Sequence, residues 1–393
     1  MKVMKWSAIA LAVSAGSTQF AVADAFVSDQ AEAKGFIEDS SLNLLLRNYY
    51  FNRDGKEGRG DRVDWTQGFL TTYESGFTQG TVGFGVDAFG YLGLKLDGTS
   101  DKTGTGNLPV MNDGKPRDDY SRAGGAVKVR ISKTMLKWGE MQPTAPVFAA
   151  GGSRLFPQTA TGFQLQSSEF EGLDLEAGHF TEGKEPTTVK SRGELYATYA
   201  GQTAKSADFA GGRYAITDNL SASLYGAELK DIYRQYYLNT NYTLAYQQVH
   251  GDEPFDYIGF GGNGSGAGGD SIFLANSVQY SDFNGPGEKS WQARYDLNLA
   301  SYGVPGLTFM LRYINGKDID GTKVDSSSSY AGLYGEDGKH HETNLEAKYV
   351  VQSGPAKDLS FRIRQAWHRA NADQGEGDQN EFRLIVDYPL SIL

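Results

Sequence analysis

The sequence predicts an all-β fold, a transmembrane antiparallel β-barrel, on three observations. Short segments alternate between apolar and polar residues, and the polar positions are repeatedly arginines, as at Arg362 and Arg364 between Phe361 and Ile363. Side chains on a strand point alternately to opposite faces, so such a strand has one greasy face and one charged face. The chain also opens like an exported protein, and after that opening it holds no run of 18 apolar residues that would form a membrane helix. A soluble sheet would turn its charged face to water and its greasy face to a dry core. A membrane barrel turns the greasy face to lipid and the charged face to a wet lumen.

The opening comes first. Lys2 and Lys5 make the start basic, Trp6 to Gly16 is apolar and small, and Ala21, Ala23 and Ala25 have the spacing a signal peptidase reads. Residues 1–25 are therefore expected to be a signal peptide that is removed, although a cut after Ala23 fits the same pattern. Residues 26–393 are expected to form one barrel domain, since no linker-like break interrupts them.

Composition narrows the class. There is no cysteine in 393 residues, which excludes a small disulfide-stapled secreted fold. Fifty glycines, 23 tyrosines and 21 phenylalanines supply turn formers and strand-favouring aromatics. The net charge of −11 argues against nucleic acid as a partner.

The strands follow in order. Leu42, Leu44, Leu46 and Tyr50 lie opposite Asn43, Arg47 and Tyr49. Val82, Phe84, Val86 and Ala88 oppose Gly83, Gly85 and Asp87, and Val127, Val129 and Ile131 oppose Lys128, Arg130 and Ser132. Ala293, Tyr295 and Leu297 oppose Arg294 and Asp296; Leu307, Phe309, Leu311 and Tyr313 oppose Met310 and Arg312. Thr343, Leu345, Ala347 and Tyr349 oppose Glu342, Asn344, Glu346 and Lys348. Leu359, Phe361, Ile363 and Trp367 oppose Ser360, Arg362, Arg364 and His368. Phe382, Leu384, Val386 and Tyr388 oppose Arg383 and Asp387. Between strands, tight turns such as that at Asn219 alternate with long polar loops over 100–120, 250–269 and 316–341, the asymmetry of a membrane barrel. Pro389 falls where a strand end tolerates it.

In a closed barrel the last strand pairs with the first, because closure removes the edges. Arg383, Arg362, Arg364 and Arg47 then share one wall, Arg312 and Arg294 continue it, and Lys128 and Arg130 add charge to the same lumen. Such a ladder would draw an anion through a series of similar sites. Arginine's planar fork suits a carboxylate. For any one arginine the competing reading is pairing with a lumen Asp or Glu.

Several stretches resemble the OprD family of outer-membrane channels: Gly80 to Asp97, Ser132 to Gly139, Ser153-Arg-Leu-Phe-Pro157, Ser281-Asp-Phe-Asn284 and Gly303 to Thr308. The resemblance runs across essentially the whole mature chain. It implies a monomeric barrel of eighteen strands with inward-folded loops that constrict the pore, and uptake of small carboxylate-bearing nutrients. It makes the segment 143–157 the third extracellular loop, with Arg154 near the narrowest point. It makes 270–284 the inward seventh loop, whose Asp270 and Asp282 would form an acidic counter-face to the basic wall. The wording around Arg154 to Gly162 resembles the OccK branch, associated with aromatic and cyclic carboxylates, more than the OccD branch, associated with basic amino acids. One departure is the terminus, Ser391-Ile-Leu393, where many such barrels end in Phe or Trp.

Other motifs carry no chemistry. The glycine-dense 261–269 precedes no strand–helix unit that would hold a phosphate. His340 and His341 read as a solvated pair in a loop, without further ligands at metal spacing, so no metal or other cofactor is expected. Nothing marks a catalytic pair, and the chain reads as a channel and not an enzyme. A different class stays open beside the channel: a soluble exported β-protein such as a carbohydrate-binding module, its aromatics serving as stacking platforms.

Overall fold

Alternating apolar and polar residues, punctuated by turn formers, build one large antiparallel sheet. The computed structural model describes residues 25–56, 59–190, 192–217, 220–240, 246–261 and 274–393. Among them, sixteen strands share the sheet. They are β1 (Ser41–Gly55), β2 (Arg62–Glu74), β3 (Val82–Asp97), β4 (Asp119–Ile131), β5 (Thr134–Met141), β6 (Thr159–Phe170), β7 (Leu173–Lys184) and β8 (Ala207–Thr217). The second half holds β9 (Leu220–Leu229), β10 (Tyr233–Thr240), β11 (Tyr246–Gln248), β12 (Lys289–Asn298), β13 (Leu307–Ile319), β14 (Gly338–Val350), β15 (Ser360–Ala370) and β16 (Gln379–Ser391).

Consecutive strands pair from β1 to β10 and from β11 to β16, and β1 also pairs with β16 from Asn43↔Ser391 to Gly55↔Gln379. The expected joining of the first and last strands is thus present. The two ends of the described sheet are β10 and β11, and residues 241–245 between them lie outside the described residues, as does Asn219. The described residues hold sixteen strands of the wall where the resemblance implies eighteen for the whole barrel, with 241–245 and 262–273 outside them. Pro389 sits opposite Leu45, beyond the last β15–β16 pair at Ser360↔Asp387, so its missing N–H interrupts no ladder on that side.

The face assignments hold strand by strand. Phe84, Val127, Leu311, Leu345 and Ile363 are exposed on the outer surface, while Arg47, Lys128, Arg130, Arg312, Arg364 and Arg383 are buried on the inner one. An apolar outer belt with a polar interior is the pattern of a lipid-embedded barrel. Tight turns join strands at one end, as at Ser132–Lys133 between β4 and β5 and Glu171–Gly172 between β6 and β7. Gly172 has φ +72, a left-handed conformation that a side chain disfavours. Long connections at the other end, among the described residues, include 98–118, 142–158 and 320–337.

One loop expectation is corrected. Residues 316–319 extend β13 and 338–341 begin β14, so His340 and His341 stand on a strand and not in a solvated loop. His340 is 2% exposed. The loop reading failed because glycine, aspartate and lysine around the pair mimic a turn, while the pairing that makes it strand comes from β13 and β15, distant in sequence.

Candidate functional site: a basic lumen wall and two inward loops

Segment 142–158 lies inside the barrel. Its Leu155 and Phe156 are fully buried in a cluster with Tyr49, Phe51, Tyr91 and Tyr120 of the inner wall. The seat for Leu155 is a pair of glycines registered across β2 and β3, Gly68↔Gly93. A Cβ on Gly68 would meet Leu155 Cδ1 at 2.9 Å, and one on Gly93 would meet Leu155 Cδ2 at 3.0 Å. The loop backbone is pinned as well: Tyr49 Oη donates to Ser153 O at 3.0 Å, and Leu155 N donates to Asn107 Oδ1 at 2.9 Å. Residues 279–281 approach from the far side. Tyr280 N and Ser281 N donate to the two carboxylate oxygens of Glu342 at 3.1 and 3.0 Å.

Between these loops the arginines converge. The guanidinium carbons of Arg53, Arg154 and Arg383 stand 5.4, 5.2 and 5.5 Å from the centre of the Phe51 ring, within cation–π range. Glu381 holds two of them: Arg383 Nε donates to Oε1 at 2.6 Å and Arg53 Nε to Oε2 at 2.8 Å. Arg383 Nη2 also donates to Gln279 O at 3.1 Å. Arg154 donates through Nε to Thr105 O at 2.7 Å, and its own carbonyl accepts from Arg47 Nη1 at 2.9 Å. Burial, and next the charge of Arg383, lower the Arg154 pKa to about 10, so it stays a cation at neutral pH.

The remaining ladder residues are placed as follows. Arg47 pairs with Asp387 at 2.8 Å. Arg364 and Arg362 flank Glu346, at 3.0 and 3.8 Å. Arg312 donates to Asn344 Oδ1 at 3.0 and 2.8 Å, and Arg294, registered opposite Arg312, pairs with Asp296 at 2.6 Å. These strands, β12 to β16 and then β1, form a continuous wall. Lys128 and Arg130 stand apart from it on β4. Lys128 meets Asp87 at 2.6 Å, and Arg130 is held near the tight-turn end by Gln30 and Ser28 at 2.9 and 2.6 Å.

Asp282 does not lie open toward the wall. Its oxygens accept from Ser277 Oγ at 2.7 Å and Tyr199 Oη at 2.9 Å, which ties the inward loop to the Glu194–Ala197 strand region. Burial raises its pKa to about 6. Asp270 lies outside the described residues. Arg53 and Arg122 are among the lumen arginines that escaped the sequence reading. Extending the alternation of β1 from Arg47 through Tyr49 and Phe51 would have placed Arg53. Extending that of β4 back from Lys128 would have placed Arg122, whose Nη1 donates to Glu185 O at 2.9 Å.

The chain resembles known proteins over its full length. The family model for outer membrane porins of the OprD family matches residues 34–245 and 240–392. Porin D of Pseudomonas aeruginosa is 84% identical over 443 aligned positions that cover all of both chains. With 393 residues in this chain, at least fifty of those positions have no counterpart here, and the two family matches meet at 240–245. The crystal structure of Pseudomonas aeruginosa OprD superposes with a TM-score of 0.81 at 74% identity, covering 94% of this chain and 100% of that one.

The branch expectation is corrected by the same comparisons. Identity is 73% to a doubly substituted OccD1 (OprD), over 94% of this chain and 100% of that one with a TM-score of 0.80. It is 34% to Pseudomonas aeruginosa OccK9, over 91% and 100% with a TM-score of 0.80. The wording of one loop had pointed the other way, because a seat built from Leu155 and Phe156 serves packing and does not report a branch. The chain is a channel of the outer membrane and not an enzyme, and it belongs to the OprD family of outer-membrane porins.

Proposed function

We propose that this channel passively and selectively takes up small carboxylate-bearing nutrients along the arginine ladder, as a single barrel formed after residues 1–25 are removed. The supporting observation is the meeting of Arg53, Arg154 and Arg383 around Phe51, between the two inward loops and at the head of a wall that continues through Arg47, Arg364, Arg362 and Arg312. Acidic residues interleave with that wall, so each basic site holds an anion without trapping it, the condition for passage. Glu346, Glu381 and Asp387 stand between the arginines of that wall, acid beside base, where a substrate's cationic end would be accepted. With OccD1 as the nearer likeness, a basic amino acid, carboxylate at one end and cation at the other, fits this pairing better than an aromatic monocarboxylate.

The test is uptake into proteoliposomes of arginine, lysine, benzoate and a neutral sugar of similar size. Uptake of the carboxylates ahead of the sugar, with arginine and lysine leading, supports the reading. Equal rates for all four would make the protein an unselective pore, and benzoate in the lead would return it to the aromatic class.

A further inference from the structure

A cluster outside the ladder has the makings of a metal site. His340 on β14 and His368 on β15 face inward, diagonal to each other across the pair Glu342↔His368. Both are buried, at 2% and 0% exposure. His340 Nδ1 lies 2.9 Å from His368 Nε2. Glu376 Oε2, from the connection between β15 and β16, lies 4.0 Å from the first and 3.7 Å from the second.

The outer nitrogens of both rings are already engaged. His340 Nε2 is 2.9 Å from Glu288 Oε1, and His368 Nδ1 is 2.8 Å from Gly377 O. Gly285 N donates to the other Glu288 oxygen at 2.7 Å. With Glu288 ionised, its carboxylate and the Gly377 carbonyl each accept a proton from the ring nitrogen they face. The neutral tautomers then leave lone pairs on His340 Nδ1 and His368 Nε2 pointing at each other, with Ser281 Oγ 3.4 Å from the first. Two such lone pairs repel unless a proton or a cation stands between them. Histidines whose far nitrogens donate to a carboxylate or a carbonyl are the usual outer arrangement around a bound transition metal.

We propose that His340 Nδ1, His368 Nε2 and Glu376 Oε2 bind a divalent cation of the zinc class, with a fourth position left for water. Two imidazoles and a carboxylate are a zinc-type donor set. With bonds of about 2.0–2.1 Å, tetrahedral ligands stand roughly 3.3 Å apart, so the observed separations need adjustments of well under 1 Å. Phe283 stacks on His340 with ring centres 4.0 Å apart, and Tyr280 lies 5.0 Å from His368, closing the cluster on the loop side. Ser281 Oγ donates to Glu376 Oε2 at 2.5 Å. A bound cation would therefore fasten β14, β15 and the 371–378 connection together beside residues 280–283 of the inward loop. It would stiffen that loop, and with it the constriction.

The test uses the detergent-purified full barrel, stripped with chelator and titrated with Zn2+ and separately with Co2+. Expected are one saturable Zn2+ site per chain by calorimetry, the visible absorption of tetrahedral Co2+, and at least a tenfold loss of affinity in His368→Gln and Glu376→Gln. Glu376→Gln changes a connection and leaves both strands intact, which covers the case in which the histidine variant fails to fold. Glu288→Gln should weaken binding about tenfold or more without removing it, as outer partners do. Absence of saturable binding, or unchanged affinity in both His368→Gln and Glu376→Gln, overturns the proposal. The pair would then be bridged by a shared proton.

Discussion

Arg364 and Arg383 stand directly opposite each other on β15 and β16, two like charges in register on one inner face. Like charges so placed destabilise a sheet. Here Glu346, 3.0 Å from Arg364 Nε, and Glu381, 2.6 Å from Arg383 Nε, sit on either side of the pair and hold it together. The pair thus concentrates positive charge in the bore while the wall stays locally balanced.

Arg364→Gln removes one member of this pair and leaves Glu346 with Arg362. Anion preference should fall, and the effect should be largest at low salt, since exposed charges are screened within about 10 Å at 0.1 M. Reversal potentials across a salt gradient measure it. An unchanged potential in a folded variant would make Arg364 a structural partner of Glu346 and nothing more.

Arg154→Ala removes the donor to Thr105 O while the loop keeps its Tyr49 and Asn107 ties. Conductance should rise, and discrimination between a carboxylate and its neutral amide should drop. Single-channel recording with both solutes reads the two effects together. Equal discrimination in variant and parent would take Arg154 out of the filter.

Leu345 and Leu311 are registered neighbours on the lipid face, near the middle of β14. Arginine at either position should cost about 2–4 kcal/mol at the bilayer midplane. Leu345→Gln serves as the milder control. Folding titrations in lipid vesicles give the number, and a variant as stable as the parent would reverse the assigned faces.

Asp282 carries a pH dependence whose sign follows from its burial. Its pKa rises from 3.8 to about 6, so between these values the folded loop binds the proton that the unfolded chain has lost. Its contribution to stability therefore declines as pH rises from about 4 to 6, and above 6 the penalty is fully present. Amide exchange over residues 277–283 should slow as pH is lowered through this window, after correction for intrinsic exchange. Asp282→Asn should flatten the trend, and an undiminished trend would assign it to another group.

The alternation in β1, β4 and β13 to β16 was readable without a structure, because a strand's two faces are set by a period of two residues, a purely local property. It placed Arg47, Arg312, Arg364 and Arg383 in the lumen and Leu311, Leu345 and Ile363 toward lipid. What those arginines touch was not readable. Asp387 is 340 residues from Arg47, and Arg154 reaches the wall only because Leu155 seats on Gly68 and Gly93. The same limit misplaced His340, whose partners Glu288 and His368 come from other strands and connections, and left Asp282 facing the wall when Tyr199 and Ser277 hold it. Faces follow from neighbours in the chain; pairings depend on which strands and loops the closed sheet brings side by side, and only the folded barrel decides that.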